Sequence, residues 1–137
     1  MKSPLITIEG ERTVQEAALE MDRHRIASIV ISKEDENVGI LTERDVFERV
    51  VQKGLNPKET RVEDVMSTPI YHLDESATVD QAARMMVSLR VKRLLVDRKG
   101  RPVGMITIND IMRTLISHHS DVLDTWEKNI LEAWKGF

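Results

Sequence analysis

The hydrophobic positions of the chain alternate between two periods. Between residues 13 and 24 they recur at three- and four-residue spacing, which is one face of a helix: Val14, Ala17, Ala18 and Met21. The apolar runs Ile26–Ile31 and Val38–Leu41 are instead short and continuous, which is typical of buried strands. The pattern therefore predicts a helix followed by two strands.

The same pattern occurs twice. Residues 1–52 align with residues 66–117 at an offset of 65 without a gap, and the aligned segments share twelve identical pairs, among them Gly39/Gly104, Thr42/Thr107 and Asp45/Asp110. Such agreement indicates duplication, and two copies of this length are too few for a solenoid. We expect two similar halves that face each other across a pseudo-twofold axis.

Each copy is predicted to fold as β-α-β-β-α, so the fold class is α/β or α+β. The predicted strands are Leu5–Ile8, Ile26–Ile31 and Val38–Leu41, then Ile70–Leu73, Val91–Val96 and Val103–Ile106, with polar turns at Lys33–Asn37 and Arg98–Pro102. The predicted helices are 13–24, 43–53, 78–89 and 108–118, the first and third with Thr13–Glu16 and Thr78–Gln81 at capping-box spacing.

The predicted domain organisation has four parts. These are repeat 1 at 1–53, a linker at 54–65 with a short helical turn at Val62–Met66, repeat 2 at 66–118 and a final helix at 119–137. The final helix carries an apolar stripe, Val122, Trp126, Ile130 and Trp134, which packs either on its own chain or on a second protein.

Composition narrows the functional class. The 137 residues are 41% hydrophobic and 31% charged, which excludes bulk disorder, and the absence of cysteine excludes disulfides, thiol nucleophiles and thiolate metal sites. Early charge and turn residues and short apolar runs predict neither a signal peptide nor a membrane span, so we expect a cytoplasmic protein. The net charge of −3 disfavours wrapping of nucleic acid.

The motif Thr-x-x-Asp opens a helix directly after a strand in both copies, as Thr42–Asp45 and Thr107–Asp110. One interpretation is purely structural, because a threonine N-cap and an early carboxylate both stabilise a helix start. The other is a binding site: ligands of α/β proteins collect at the carboxyl ends of strands, where a carboxylate can accept two hydrogen bonds from a ribose diol.

The ordered motifs resemble the cystathionine-β-synthase (CBS) domain. The second copy carries Met-Ser-Thr-Pro-Ile (66–70), Thr-Val-Asp-Gln-Ala-Ala (78–83) and Gly-Met-Ile-Thr-Ile-Asn-Asp (104–110), and the first carries Gly-Ile-Leu-Thr-Glu-Arg-Asp (39–45) with matching upstream segments. The resemblance covers residues 1–118 and implies a tandem pair, a Bateman module. Such a module is a non-catalytic sensor that binds AMP, ADP, ATP or S-adenosylmethionine in two inter-repeat clefts, forms homodimers through its helices and signals to a regulated protein partner.

The resemblance also implies the site residues. Asp45 and Asp110 would hold ribose hydroxyls, supported by Thr42 and Thr107, while adenine would lie against Ile6, Ile70, Tyr71, Ala27 or Lys92. Across the pseudo-twofold, the site of Asp110 would receive His24, Arg25 and Arg44, and the site of Asp45 would receive Arg90, Lys92 and Asn109. Because arginine suits phosphate oxygens, we expect the Asp110 cleft to bind a nucleotide more tightly.

Other functional classes have weaker support. A polynucleotide-binding or scaffold protein with vestigial clefts is kept as the alternative by a local basic patch: Arg90, Lys92, Arg93, Arg98, Lys99 and Arg101. No nucleophile–base pair supports an enzyme. The His118–His119–Asp121 group does not have metal-ligand spacing, so we expect neither a metal nor a catalytic cofactor.

Overall fold

The computed structural model describes residues 5–118. The first half contains β1 (Thr7–Glu9), α1 (Val14–His24), β2 (Ser28–Lys33), β3 (Glu36–Thr42) and α2 (Glu43–Val46), which continues as a π-helical segment (Phe47–Val51). A 3-10 turn (Val62–Asp64) leads to the second half, which contains β4 (His72–Asp74), α3 (Val79–Leu89), β5 (Arg93–Arg98), β6 (Arg101–Thr107) and α4 (Ile108–His118). The predicted final helix lies outside the described residues.

Each half forms its own three-stranded sheet, ordered β1-β2-β3 and β4-β5-β6. The first strand of each sheet is parallel to the second, and the second pairs with the third as an antiparallel hairpin. Equivalent residues occupy equivalent positions: Val30 pairs with Ile40 in the first sheet, and Leu95 pairs with Met105 in the second. The predicted duplication and the mixed α+β fold are confirmed.

Several strands begin later than the apolar runs suggested. Arg25 and Arg90 end their helices in the left-handed conformation, with φ of 53° and 57°, so the next two residues turn the chain before pairing begins. The first strand of each half, β1 or β4, likewise begins about two residues later than the sequence predicts. The hairpin strands Glu36–Thr42 and Arg101–Thr107 contain the predicted runs.

Each half has its own hydrophobic core, which lies between the sheet and the helices of that half. The first is formed by α1, β2 and β3 and includes Ala17, Ile29 and Leu41, all 0% exposed. The second is built the same way around Ala82, Leu94 and Ile111. In the central strands β2 and β5, three consecutive residues are buried, because helices cover one face of each strand and the other sheet covers the opposite face.

The two sheets contact each other through a third cluster. Its members form three pseudosymmetric pairs, each separated by the repeat offset: Leu5 and Ile70, Val30 and Leu95, Ile40 and Met105. Ser28 Oγ also approaches Met105 Sδ across this interface, at 3.6 Å. The sheets therefore face inward and the helices lie outside.

The segment between the repeats crosses the edge of the first sheet. Ser67 forms two backbone hydrogen bonds with Ile40 of β3, its N–H donating to Ile40 O (2.8 Å) and its O accepting from Ile40 N–H (3.0 Å). Gly39 permits this crossing, because a Cβ there would lie 2.4 Å from Met66 Sδ and 3.1 Å from Ser67 O. Val62 and Val65, within the predicted linker, are buried in the first core.

No helix within residues 5–118 is long and apolar enough to cross a membrane.

Candidate functional site

Both Thr-x-x-Asp motifs form the predicted helix caps. At the start of α2, Thr42 N–H donates to Asp45 Oδ2 (3.0 Å) and Asp45 N–H donates to Thr42 Oγ1 (3.0 Å). At the start of α4, Thr107 N–H donates to Asp110 Oδ2 (2.9 Å) and Asp110 N–H donates to Thr107 Oγ1 (3.3 Å). The structural interpretation of the motif is therefore correct for both copies, and it leaves open what the remaining carboxylate lone pairs bind.

The two aspartates have different surroundings beyond the cap. Asp45 is buried, with 7% of its surface exposed, and its Oδ1 accepts a hydrogen bond from Ser67 Oγ (2.8 Å). Arg49 Nε lies 3.9 Å from the same oxygen. Asp110 instead forms an ion pair with Arg113, in the next turn of its own helix.

The pKa of Asp110 reflects two opposing effects. Partial burial acts to raise the pKa of this carboxyl, but hydrogen bonds outweigh it, including those from the Thr107 N–H and hydroxyl. The pKa of Asp110 is therefore below its ordinary value, and the group is ionised at neutral pH.

Asp45 lines a cleft of about 720 Å³ between the two halves, which we call the Asp45 cleft. Apolar and aromatic side chains form its walls, including Ile40, Ile70, Tyr71, Leu95 and Met105. Charged groups at its edge come from both halves: Glu43 and Arg44 from the first, and Arg90, Lys92 and Arg93 from the second. An apolar slot with a few converging polar groups is the usual form of a small-molecule site.

The cations that line the cleft differ in their ion pairs. Within residues 5–118, the side chains of Arg90, Lys92 and Arg93 have no ion-pair partner, whereas Arg44 Nε donates to Glu48 Oε1 (2.6 Å). Cations that line one cleft without an ion-pair partner favour the binding of an anion there.

The Asp45 cleft brings together eight of the residues singled out in the sequence: Ala27, Thr42, Arg44, Asp45, Ile70, Tyr71, Arg90 and Lys92. Asn109 is not among its lining residues. Of the residues expected around Asp110, His24 Nε2 is 3.3 Å from Glu20, and Arg25 lines a second pocket with Met21 and Val46. Ile6 accepts a backbone hydrogen bond from Val30. A nucleotide cleft at Asp110 stays a prediction.

Two contributors to the site were missed by the sequence analysis. Ser67 and Arg49 contact Asp45, but the repeat offset pairs them with the dissimilar Lys2 and Thr114. The alignment of the two copies points only to residues that the copies share, so it could not indicate a role for Ser67 or Arg49.

The basic patch of the polynucleotide alternative is divided in the fold. Arg90, Lys92 and Arg93 lie at the cleft end of β5, whereas Arg98, Lys99 and Arg101 surround the hairpin turn at its other end. The ends of this six-residue strand are about 16 Å apart. Arg98 is also paired with Glu75 (2.7 Å). The observed positions do not form the continuous patch that the alternative assumed.

Within the described part of the chain, no group of three or more histidine, aspartate or glutamate side chains is placed to hold a metal ion.

The fold and the cleft define a class: a two-repeat α+β module with a small-molecule cleft between its halves. A family model described as the CBS domain matches residues 1–52 and 62–117, and the chain belongs to this family.

Three comparisons place the chain within the family. An uncharacterised protein of Methanopyrus kandleri is 40% identical over 111 residues, which are 80% of this chain and 57% of that protein. A CBS-domain protein from Burkholderia ambifaria has a structure with a TM-score of 0.78 and 28% identity, covering 85% of each chain. The structure of a Pyrobaculum aerophilum CBS-domain protein in complex with AMP has a TM-score of 0.71 at 24% identity, covering 85% of this chain and 95% of that one, which shows a shared fold.

Proposed function

We propose that the chain is a non-catalytic regulatory module that binds an adenosine nucleotide in the Asp45 cleft and signals to a partner through the resulting conformational change. One observation carries the proposal: a fixed carboxylate from one half and unpaired cations from the other half line the same apolar cleft. In this arrangement adenine would contact the apolar walls, the ribose diol would bind Asp45 and the phosphates would lie near Arg90, Lys92 and Arg93.

The charge of the cleft discriminates among adenosine compounds. AMP, ADP and ATP bring negative phosphates to the cationic edge, whereas S-adenosylmethionine brings a sulfonium and an ammonium group against a single carboxylate and is positively charged overall. Like charges at close range oppose binding, so the nucleotides are favoured over S-adenosylmethionine. AMP is the first ligand to test, since a protein of the same fold binds it.

Calorimetric titration of the full chain tests this assignment. We expect AMP, ADP or ATP to bind more tightly than S-adenosylmethionine, and the double substitution Arg90→Gln/Lys92→Gln to weaken nucleotide binding by roughly tenfold or more, the loss of one charge-assisted hydrogen bond. Lys99→Gln/Arg101→Gln is the matched control, because it removes two cations from the distant hairpin turn. Tighter binding of S-adenosylmethionine, or equal effects of the two variants, would contradict the proposal.

Titration also decides between the two clefts. The sequence favours Asp110 because His24, Arg25 and Arg44 are expected at its site, but Arg44 lines the Asp45 cleft. We therefore propose that Asp45→Ala weakens nucleotide binding more than Asp110→Ala, and the reverse order would restore the prediction from sequence.

We also propose that the module pairs with a second copy through its helices. Large apolar side chains are exposed on helical segments of both halves, including Leu19, Phe47, Val51, Val87 and Ile116. Apolar faces on two pseudosymmetric halves can meet a second copy in a closed twofold assembly. A regulated protein partner would then respond to changes in this assembly.

A further inference from the structure

We infer that Ser67 and Arg49 are positioning residues of the Asp45 cleft, which hold the Asp45 carboxylate in the orientation that accepts a ribose diol. The inference rests on the proposed function, because it assigns a role in binding the same ligand. It is carried by the contacts that Ser67 and Arg49 make with Asp45 and with the backbone around the cleft.

The Asp45 carboxylate is held from two sides. Thr42 N–H binds Oδ2, and Ser67 Oγ binds Oδ1 at 2.8 Å. A carboxylate offers about four lone-pair sites, so these two bonds leave about two sites for further donors. Two donors are what a ribose diol provides, and the side chain, though only 9% exposed, lines the cleft.

Arg49 fixes the segment that carries Ser67. Its Nη1 donates to Val65 O (3.1 Å) and Met66 O (2.7 Å), while its Nε lies 3.9 Å from Asp45 Oδ1. One guanidinium therefore joins the carboxylate to the backbone just before Ser67. The next residues, from Thr68 to Tyr71, form a wall of the cleft.

The π-helical segment places Arg49 for this contact. Gln52 N–H donates to Phe47 O (2.9 Å), a five-residue hydrogen bond that widens the turn around Arg49. In the second half the equivalent stretch belongs to the regular helix α4, and the residue equivalent to Arg49 is Thr114, whose hydroxyl donates to Asp110 O within the same helix.

A carboxylate fixed before binding loses little side-chain entropy when the ligand arrives. Without Ser67, Asp45 keeps its cap to Thr42 but loses the bond that fixes its second oxygen. The ribose hydroxyls should then contribute less to binding, even where adenine and phosphate still bind.

Calorimetry with AMP, 2′-deoxy-AMP and 3′-deoxy-AMP on the full chain tests the inference. In the unsubstituted protein we expect removal of a ribose hydroxyl to weaken binding on the order of tenfold. In Ser67→Ala and in Arg49→Lys we expect weaker AMP binding and a penalty for the missing hydroxyl of about threefold or less, because the hydroxyl and the positioning residue act through the same carboxylate. Ser67→Thr, which keeps the hydroxyl, should restore the original ratio.

The matched control is Ser76→Ala. It removes a serine–aspartate hydrogen bond of the same kind, to Asp74, at a position that does not line the cleft, and should leave the ratio unchanged. If Ser67→Ala and Arg49→Lys weaken AMP and the deoxy analogues by one common factor, the residues are merely structural and the inference is overturned while the proposed function stands. If the unsubstituted protein binds none of the three, the proposed function and the inference both fail.

Discussion

At the scale of single residues, Gly39 decides how closely the two repeats are joined. The segment from Met66 to Ser67 passes directly over its Cα, and a Cβ would lie 2.4 Å from Met66 Sδ. We expect Gly39→Ala to lower the free energy of unfolding by about 1–3 kcal/mol, the usual cost of overpacking, measured by urea denaturation.

Gly10→Ala is the control for this substitution. The nearest atoms to a Cβ at Gly10 all belong to the side chain of Glu63, from Oε2 at 2.7 Å to Cβ at 3.1 Å, whereas a Cβ at Gly39 also meets the backbone O of Ser67 at 3.1 Å, which is less free to move. An equal loss of stability in both variants would show that the crossing over Gly39 is not unusually tight.

Residue-scale features were predictable from sequence only where they are local. Thr42–Asp45 and Thr107–Asp110 were recognised because three-residue spacing is enough to specify a cap. The bond from Ser67 to Asp45 spans 22 residues, and the residue equivalent to Ser67 in the other copy is Lys2, so neither spacing nor repetition could reveal it.

At the scale of elements, the two hairpins share a turn but differ in how well their residues fit it. Two-residue loops join β2 to β3 and β5 to β6, and both loop residues have positive φ: 52° at Glu34 and 63° at Asp35, 51° at Lys99 and 77° at Gly100. This is the type I′ turn, which prefers glycine because a side chain is strained there.

We therefore expect Asp35→Gly to raise the free energy of unfolding by about 0.5–1 kcal/mol, since the relief of strain exceeds the added entropy of the unfolded glycine. Thermal or urea denaturation measures the change. The reciprocal substitution Gly100→Asp should lower stability by a similar amount, and a stabilising Gly100→Asp would rule out this explanation.

The spacing of the hydrophobic residues predicted which segments are helices and which are strands, but it did not predict where each helix or strand begins and ends. The regular helix predicted at 43–53 is a short α-helix that continues as a π-helical segment at Phe47–Val51. No proline or glycine lies within that segment to signal the change. Because tertiary contacts of Arg49 with residues far along the chain accompany it, local patterns could not predict it.

At the scale of the whole molecule, the exposed apolar helix faces lead to a prediction about assembly. Val51 is 63% exposed and Val87 is 77% exposed, on helical segments of different halves. We expect Val51→Glu/Val87→Glu to convert a dimer into monomers in sedimentation or light scattering, because buried charges would oppose pairing of these faces.

The control places the same charges next to these positions, on exposed polar residues, as Gln52→Glu/Ser88→Glu. We expect this variant to remain dimeric. Dissociation of both variants alike would indicate general charge repulsion, and a monomeric unsubstituted chain would refute the proposed pairing.

The whole-molecule arrangement was largely predictable because the repeat specifies it. Two similar halves must bury similar apolar faces, and the inter-repeat cluster consists of pairs separated by the repeat offset. The sequence did not predict which charged side chains share a cleft. Arg44, expected across the axis at the site of Asp110, lines the cleft of its neighbour Asp45.

The burial of Val62 and Val65 in the first core has a practical consequence for anyone who divides the chain into fragments. Burial of two valine side chains contributes roughly 3–6 kcal/mol, which is much of what stabilises a small domain. A truncation after residue 52, where the aligned repeat ends, would remove both valines and leave a cavity in the first core. A fragment meant to keep the first core intact therefore has to extend past the duplicated segment, through Ser67.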